Sequence, residues 1–227
     1  MFVFITGGSK CGKSSLAERL LEQYSLPKYY IATMQPFGEE ARAAIERHRK
    51  QRAGKGYVTI EKYTDLGEIS LPKPGGAVLL ECMGNLCANE MFSEECGEQT
   101  VIEEPAGKEP REEFNEERGE QTVREGLTGQ ELREECWKAT PRKEPGVQAA
   151  GRVVTKIVRD VEHLQTQTEV LVIVSNQVGS DGILYTPETT SYIEAMGRIN
   201  AALCVEADVV VESVYGIPIV HKGRLPW

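Results

Sequence analysis

The sequence predicts an α/β fold in which helices cover both faces of a mostly parallel β-sheet. Short runs rich in Val, Ile and Leu recur along the chain, and segments with apolar residues at helical spacing separate them. Such continuous apolar runs are typical of strands that are buried on both faces, and the helices between them supply the crossovers that parallel strands need. A glycine-rich turn also joins the first apolar run to the first helical segment, as in a phosphate-binding loop.

The apolar runs and the helical periodicities predict the elements in chain order. The predicted strands are Phe2–Ile5, Tyr29–Thr33, Tyr57–Tyr63, Ala77–Cys82, Val170–Val174, Asp208–Glu212 and, at the sheet edge, Ile217–Val220. The predicted helices contain Leu16–Leu21, Glu39–Arg52, Met83–Phe92, the apolar stripe Val153–Leu164, and Thr186–Glu206. Polar residues at the carboxyl ends of these strands should meet at one edge of the sheet, where ligands bind.

Residues 93–150 interrupt the alternation of strands and helices. They contain 16 Glu against 8 Lys or Arg, and residues 94–115 match residues 116–137 at 13 positions. Since a solenoid needs about three or more repeats, we interpret this segment as an acidic, solvated insertion, mostly disordered or loosely helical. The rest of residues 1–227 is then a single domain. The alternative is that the insertion binds a protein partner.

Composition excludes several classes of protein. The net charge is −9, but outside the acidic segment the chain is nearly neutral, so there is no general basic field for nucleic acid. No apolar run is long enough to span a membrane, and the first residues lack the pattern of a signal peptide. The six cysteines form no C-x-x-C pair. We therefore expect a cytoplasmic protein with reduced thiols.

The sequence MFVFITGGSKCGKSS at residues 1–15 contains a complete phosphate-binding loop motif. Its residues are Gly7, Gly8, Ser9, Lys10, Cys11, Gly12, Lys13 and Ser14. The glycines let several backbone N–H groups point into one concavity, and the helix that follows adds partial positive charge. Lys13 supplies a full charge for the β- and γ-phosphates, and the Ser14 hydroxyl can bind Mg²⁺. The motif predicts a nucleoside triphosphate site.

Glu81 ends a buried apolar run, where enzymes with this loop place the acid that holds Mg²⁺ together with the loop hydroxyl. We predict that Ser14 and Glu81 are the metal ligands. The alternative is a strand-end carboxylate that only meets solvent.

His48 lies between Arg47 and Arg49 in a basic stretch at the end of the second predicted helix. On these residues alone, a solvated basic helix end is the favoured interpretation. The alternative is an imidazole that faces the phosphates of a nucleotide. His163 and His221 show no partner pattern, and we expect both to be structural or surface residues.

Several blocks together resemble one family, the bifunctional adenosylcobinamide kinase / adenosylcobinamide-phosphate guanylyltransferase of cobalamin biosynthesis. The matching blocks are ITGGSKCGKSSLAE (5–18), YYIATMQ (29–35), EEARAAIERHRKQR (39–52), TIEKY (59–63), VLLECMGNLCANEMF (78–92), VLVIVSNQVG (170–179) and GRINAALCVEADVVVESVYGIPIVHKG (197–223). Only the phosphate-binding loop is specific by itself; the order and spacing of the blocks make the set specific.

The resemblance implies a phosphate-binding-loop fold, assembly into a homotrimer, and two reactions at one site. The first phosphorylates adenosylcobinamide with ATP or GTP, assisted by Lys13. The second transfers GMP from GTP to adenosylcobinamide phosphate through a guanylyl-histidine, which the match to Ile45-Glu46-Arg47-His48-Arg49 assigns to His48. Besides the loop, the implied nucleotide contacts are Ala32, Thr33, Met34, Arg49, Lys50, Gln51, Arg52, Glu61 and Glu81.

Two departures from the family pattern leave alternatives open. The family usually has Glu where this chain has Gln177, and no basic residue lies between Thr189 and Arg198, where an arginine-bearing helix is usual. A kinase that lacks the guanylyl transfer, or another small-molecule kinase with the same loop, would fit these departures.

Overall fold

Seven strands alternate with helices to form one sheet in the computed structural model, which describes residues 1–52, 54–92 and 145–227. The strands are β1 (Phe2–Thr6), β2 (Lys28–Ala32), β3 (Tyr57–Glu61), β4 (Gly76–Glu81), β5 (Thr168–Val174), β6 (Val209–Val214) and β7 (Ile217–Lys222). The helices are α1 (Lys13–Leu21), α2 (Gly38–Arg52), α3 (Met83–Phe92), α4 (Pro145–Thr166) and α5 (Pro187–Glu206).

The strand order is β3-β2-β4-β5-β1-β6-β7, and every neighbouring pair is parallel except β6 and β7. The predicted mostly parallel sheet is thereby confirmed, with β7 at the edge as expected. Parallel pairing aligns the strand ends: Ala32 pairs with Glu81, and Glu81 pairs with Val174. The carboxyl ends of β1, β2, β4 and β5 therefore meet at one edge of the sheet.

The core lies on both faces of the sheet because side chains alternate along each strand. On β1, Phe2 and Phe4 face the apolar layer formed with α3, α4 and α5, whereas Val3 and Ile5 face the layer formed with α1. The stripe predicted on α4 lies in the first layer. None of the described side chains of α2 belongs to either layer, which leaves the helix free to border a site.

Two details differ from the sequence interpretation, and one prediction concerns residues that the structure does not describe. A short 3₁₀ helix, Leu66–Glu68, lies between β3 and β4, where the sequence pattern predicts no element. Helix α4 begins at Pro145, so residues 145–150 are helical although they fall in the range predicted as an insertion. The acidic repeat at 94–137 lies outside the described residues. No helix among the described residues is long and apolar enough to cross a membrane.

We expect Ile157→Ala to lower the free energy of unfolding by about 2–5 kcal/mol, because a buried side chain would leave a cavity between α4 and the sheet. Ile157 is only 1% exposed. Glu162→Ala, on the exposed face of the same helix, should change it by about 0.5 kcal/mol or less. Urea denaturation of both variants measures the difference. Equal effects would show that α4 does not pack as described.

Candidate active site

The glycine-rich loop between β1 and α1 follows a path that only glycine allows at two positions. Gly7 has a φ of 144°, and a Cβ there would lie 2.5 Å from the backbone oxygen of Ser213. Gly12 precedes α1 with a φ of 95°. The first N–H groups of α1 therefore open onto the concave side of the loop, where they can bind an anion.

The β6–β7 turn holds the other side of this loop. The Cys11 carbonyl accepts hydrogen bonds from the Ser213 hydroxyl at 2.7 Å and from the Gly216 N–H at 2.8 Å. Next to it, the Gly7 carbonyl accepts a bond from the Gln177 N–H at 3.1 Å, after the end of β5. The loop is thus fixed by strands far along the chain.

Lys13 folds over the loop that precedes it. Its ammonium group donates to the carbonyl oxygens of Gly7, at 3.0 Å, and Gly8, at 2.5 Å. The side chain is only 7% exposed. A buried cation with backbone carbonyls as its acceptors can exchange them for phosphate oxygens that carry full charge, which makes the stronger hydrogen bonds.

Glu81 is the centre of the polar contacts in the site. The Ser14 hydroxyl donates to its Oε1, and the Tyr30 hydroxyl donates to its Oε2 at 3.1 Å. The His48 Nδ1 lies 3.9 Å from the same Oε2. The loop, the second strand and the second helix therefore meet at one carboxylate.

Tyr30 keeps its proton in this arrangement. Burial is the main cause that raises the pKa of Tyr30 well above its ordinary value, and the neighbouring Glu81 carboxylate raises it further. The Tyr30 hydroxyl is therefore a donor to Glu81 at any physiological pH.

The basic end of α2 presents nitrogen atoms that lack partners. The Arg52 guanidinium lies 3.2 Å from the centre of the Tyr30 ring and is largely buried. Among the described residues, the buried Nε and Nη1 of Arg52 and Nδ1 of His48 have no hydrogen-bond partner. Because buried guanidinium donors are rarely left unpaired, the two Arg52 nitrogens indicate a place where a ligand supplies acceptors.

A cavity of about 550 Å³ joins these groups. The loop, the carboxyl ends of β2 and β4, and one side of α2 form its walls. The predicted site residues that line it are Ser9, Lys10, Cys11, Gly12, Lys13, Ser14, Ala32, Met34, His48, Arg49, Arg52, Glu61 and Glu81. Asn176, two residues after the end of β5, also lines it.

Four other predicted site residues, Gly7, Gly8, Thr33 and Lys50, lie outside the cavity lining. Gly7 and Gly8 contribute the carbonyls that hold Lys13. Thr33 is fully buried, and its hydroxyl exchanges hydrogen bonds with the backbone of Cys82. Lys50 is exposed beside Glu46. The Gln51 side chain is outside the described residues.

Sequence reasoning missed Tyr30 and Asn85, which line the cavity. A tyrosine in a buried strand needs a partner for its hydroxyl, so the adjacent Tyr29 and Tyr30 both carried a signal. Which of the two faces the site depends on the register of β2 and not on composition. The apolar residues Ala44 and Ile45 of α2 also line the cavity.

Ser14 and Glu81 suit a hard divalent cation. The described residues contain no group of three His, Cys, Asp or Glu side chains that could hold a metal. Mg²⁺ does not require such a group, because it usually takes one or two protein oxygens and completes its shell with phosphate oxygens and water. The Ser14 hydroxyl and the Glu81 carboxylate, at the mouth of the loop, supply two such oxygens.

The comparisons of the sequence with family models and with curated proteins agree on one family. A family model described as "Cobinamide kinase / cobinamide phosphate guanyltransferase" matches residues 3–220. The bifunctional adenosylcobalamin biosynthesis protein CobU of Escherichia coli (strain K12) is 37% identical over 94 residues, covering 40% of this chain and 51% of that protein. The protein of the same name from Salmonella typhimurium (strain LT2) is 33% identical over 95 residues, covering 41% and 51%.

The chain spans about half the length of these two curated relatives. Among solved structures, the chain is similar to the crystal structure of flagellar accessory protein FlaH from Methanocaldococcus jannaschii. That match has a TM-score of 0.40 and 10% sequence identity, and it covers 98% of this chain and 78% of that chain.

The glycines of the loop give a matched pair of variants. Gly7→Ala should weaken binding of a GTP analogue at least about tenfold, because the new Cβ meets the Ser213 carbonyl and the backbone is strained. Gly8→Ala should change binding by about twofold or less, because no heavy atom lies within 4 Å of the new Cβ. Calorimetric titration measures both. Loss of binding in the Gly8 variant alone would contradict the described loop.

Proposed function

Because this chain belongs to the cobinamide kinase / cobinamide phosphate guanyltransferase family, we propose that it runs two reactions in one cavity. It phosphorylates adenosylcobinamide with ATP or GTP, and it then transfers GMP from GTP to adenosylcobinamide phosphate, giving adenosylcobinamide-GDP. One observation carries this proposal. Glu81 accepts a hydrogen bond from the Ser14 hydroxyl and also lies 3.9 Å from the His48 Nδ1. One bound triphosphate would reach both groups.

In the kinase reaction, the chain mainly positions phosphates and neutralises their charge. The N–H groups of the loop and of α1 would hold the β- and γ-phosphates. Lys13 would leave the carbonyls of Gly7 and Gly8 and bind phosphate oxygens. Its positive charge would then stabilise the negative charge that develops on the transferred group. Mg²⁺ held by Ser14 and Glu81 would neutralise further charge between the phosphates.

In the guanylyl transfer, His48 would be the nucleophile. With Nδ1 turned towards Glu81, the ring offers Nε2 to the α-phosphorus of GTP. An N–P bond forms while the P–O bond to pyrophosphate breaks, and pyrophosphate leaves. A phosphate oxygen of adenosylcobinamide phosphate then attacks the same phosphorus, and the N–P bond breaks. The covalent intermediate divides one difficult displacement into two easier ones.

We also propose Mg²⁺ as the cofactor, the cytoplasm as the location and a homotrimer as the working form. The resemblance to the family supports the homotrimer, and the composition supports the location. The oxygen chemistry of Ser14 and Glu81 gives independent support for Mg²⁺.

The kinase reaction is tested with adenosylcobinamide, Mg²⁺ and either GTP or ATP, with mass spectrometry of the products. We expect phosphorylated product from the unaltered protein. Lys13→Met should lower kcat by about 100-fold or more, because the charge on the transferred group loses its partner. Lys73→Met, at an exposed position outside the cavity, should retain the activity. No product with either donor would contradict the proposal.

The guanylyl transfer is tested with GTP labelled at the α-phosphate. We expect an acid-labile protein adduct that His48→Asn abolishes while phosphorylation of adenosylcobinamide continues. The matched control is His221→Asn, because His221 is exposed and pairs with Glu212 away from the cavity. An adduct that persists in the His48 variant would rule out His48 as the nucleophile. No adduct in the unaltered protein would leave a kinase without the second reaction.

A further inference from the structure

The carboxylate of Glu81 has two oxygens and three neighbouring groups. Oε1 accepts the Ser14 hydroxyl, and Oε2 accepts the Tyr30 hydroxyl at 3.1 Å. The His48 Nδ1 faces the same Oε2 from 3.9 Å and has no hydrogen-bond partner among the described residues. In the structure, Oε2 is therefore held by the Tyr30 hydroxyl, while the imidazole lies beyond hydrogen-bonding distance of it.

The Tyr30 ring is held firmly enough to direct its hydroxyl. It is only 4% exposed, and the Arg52 guanidinium lies over its face. A cation over an aromatic face is attractive, and more so when water is excluded. Since Arg52 ends α2 and Tyr30 lies in β2, this contact joins the helix that carries His48 to the strand beside Glu81.

From these contacts, we propose that Tyr30 is a positioning residue that holds the Glu81 carboxylate against Ser14 and keeps it short of a hydrogen bond with His48. The hydrogen bond from Tyr30 keeps Oε1 beside the loop hydroxyl, where Mg²⁺ binds. It also leaves His48 unbound to Glu81, so the ring can approach a phosphate. This role rests on the proposed function only through the Mg²⁺ site of Ser14 and Glu81.

Without the Tyr30 hydroxyl, Oε2 loses its donor and His48 is the unpaired group that faces it. The carboxylate would rotate towards the imidazole, and Oε1 would leave Ser14. The protein would then lose the advantage that Mg²⁺ gives to nucleotide binding, while the loop would bind the phosphates without metal as before.

Tyr29 is the matched control. It precedes Tyr30 on β2, is equally buried, and faces the opposite side of the sheet. Its hydroxyl exchanges hydrogen bonds with the backbone of Lys73, far from the cavity. Tyr29→Phe and Tyr30→Phe each remove one buried hydroxyl, but only the second removes a contact of Glu81.

The experiment measures the affinity of a fluorescent, non-hydrolysable GTP analogue in Mg²⁺ and in EDTA. Nucleotide binding needs no corrinoid, so the result is independent of whether adenosylcobinamide is the acceptor. We expect Tyr30→Phe to reduce the ratio of the affinity in Mg²⁺ to the affinity in EDTA about tenfold. A change of this size corresponds to the loss of one hydrogen bond to a charged group. Tyr29→Phe should leave the ratio unchanged, and melting curves should show that both variants fold.

A double-mutant cycle shows whether Tyr30 acts through Glu81. In the Glu81→Gln background, Tyr30→Phe should cause no further loss of the Mg²⁺ advantage. The proposal is overturned if Tyr30→Phe keeps the normal ratio, or if it weakens binding equally with and without Mg²⁺. It is also overturned if the two losses add in the double variant.

Discussion

Parallel pairing of β2, β4, β5 and β1 is the constraint on which the cavity depends. It brings the carboxyl ends of four strands to one edge, so that a loop, a carboxylate and a helix contributed by distant parts of the chain share a single space. Shifting β4 by one residue against β2 would turn Glu81 to the opposite face of the sheet. The fully buried strands make such a shift costly, and the geometry of the site is therefore protected by the core.

The charged side chains in this cavity are held by neutral polar and aromatic groups of the protein. Lys13 is covered and bound to backbone carbonyls, Arg52 is covered and stacked on Tyr30, and Glu81 accepts from two hydroxyls. Buried charges interact strongly because little water screens them. The same surroundings make any unpaired atom costly, and the unpaired nitrogens of Arg52 and His48 are the ones that border the cavity.

The fold and the loop could be predicted from the sequence because their signals are local. Apolar runs gave the strands, the glycine pattern gave the loop, and the family inferred from ordered sequence blocks is confirmed by the family match over residues 3–220. Glu81 could be predicted as a residue at the sheet edge because its strand ends in an acid.

The contact between Glu81 and His48 could not be derived, because it depends on how α2 lies against the sheet. Helical phase explains why Arg52 is covered while Lys50, two residues earlier, faces solvent. For the same reason, the basic stretch alone could not separate cavity residues from surface residues.

The hydrogen bonds from Ser213 and Gly216 to Cys11 span some 202 residues of sequence. The phosphate-binding loop is encoded by residues that a ribosome makes early, but its shape depends on a hairpin that is made late. A nascent chain would therefore hold the motif without the site. A transcript that ends before the hairpin would yield a protein with an intact motif and an incomplete phosphate pocket.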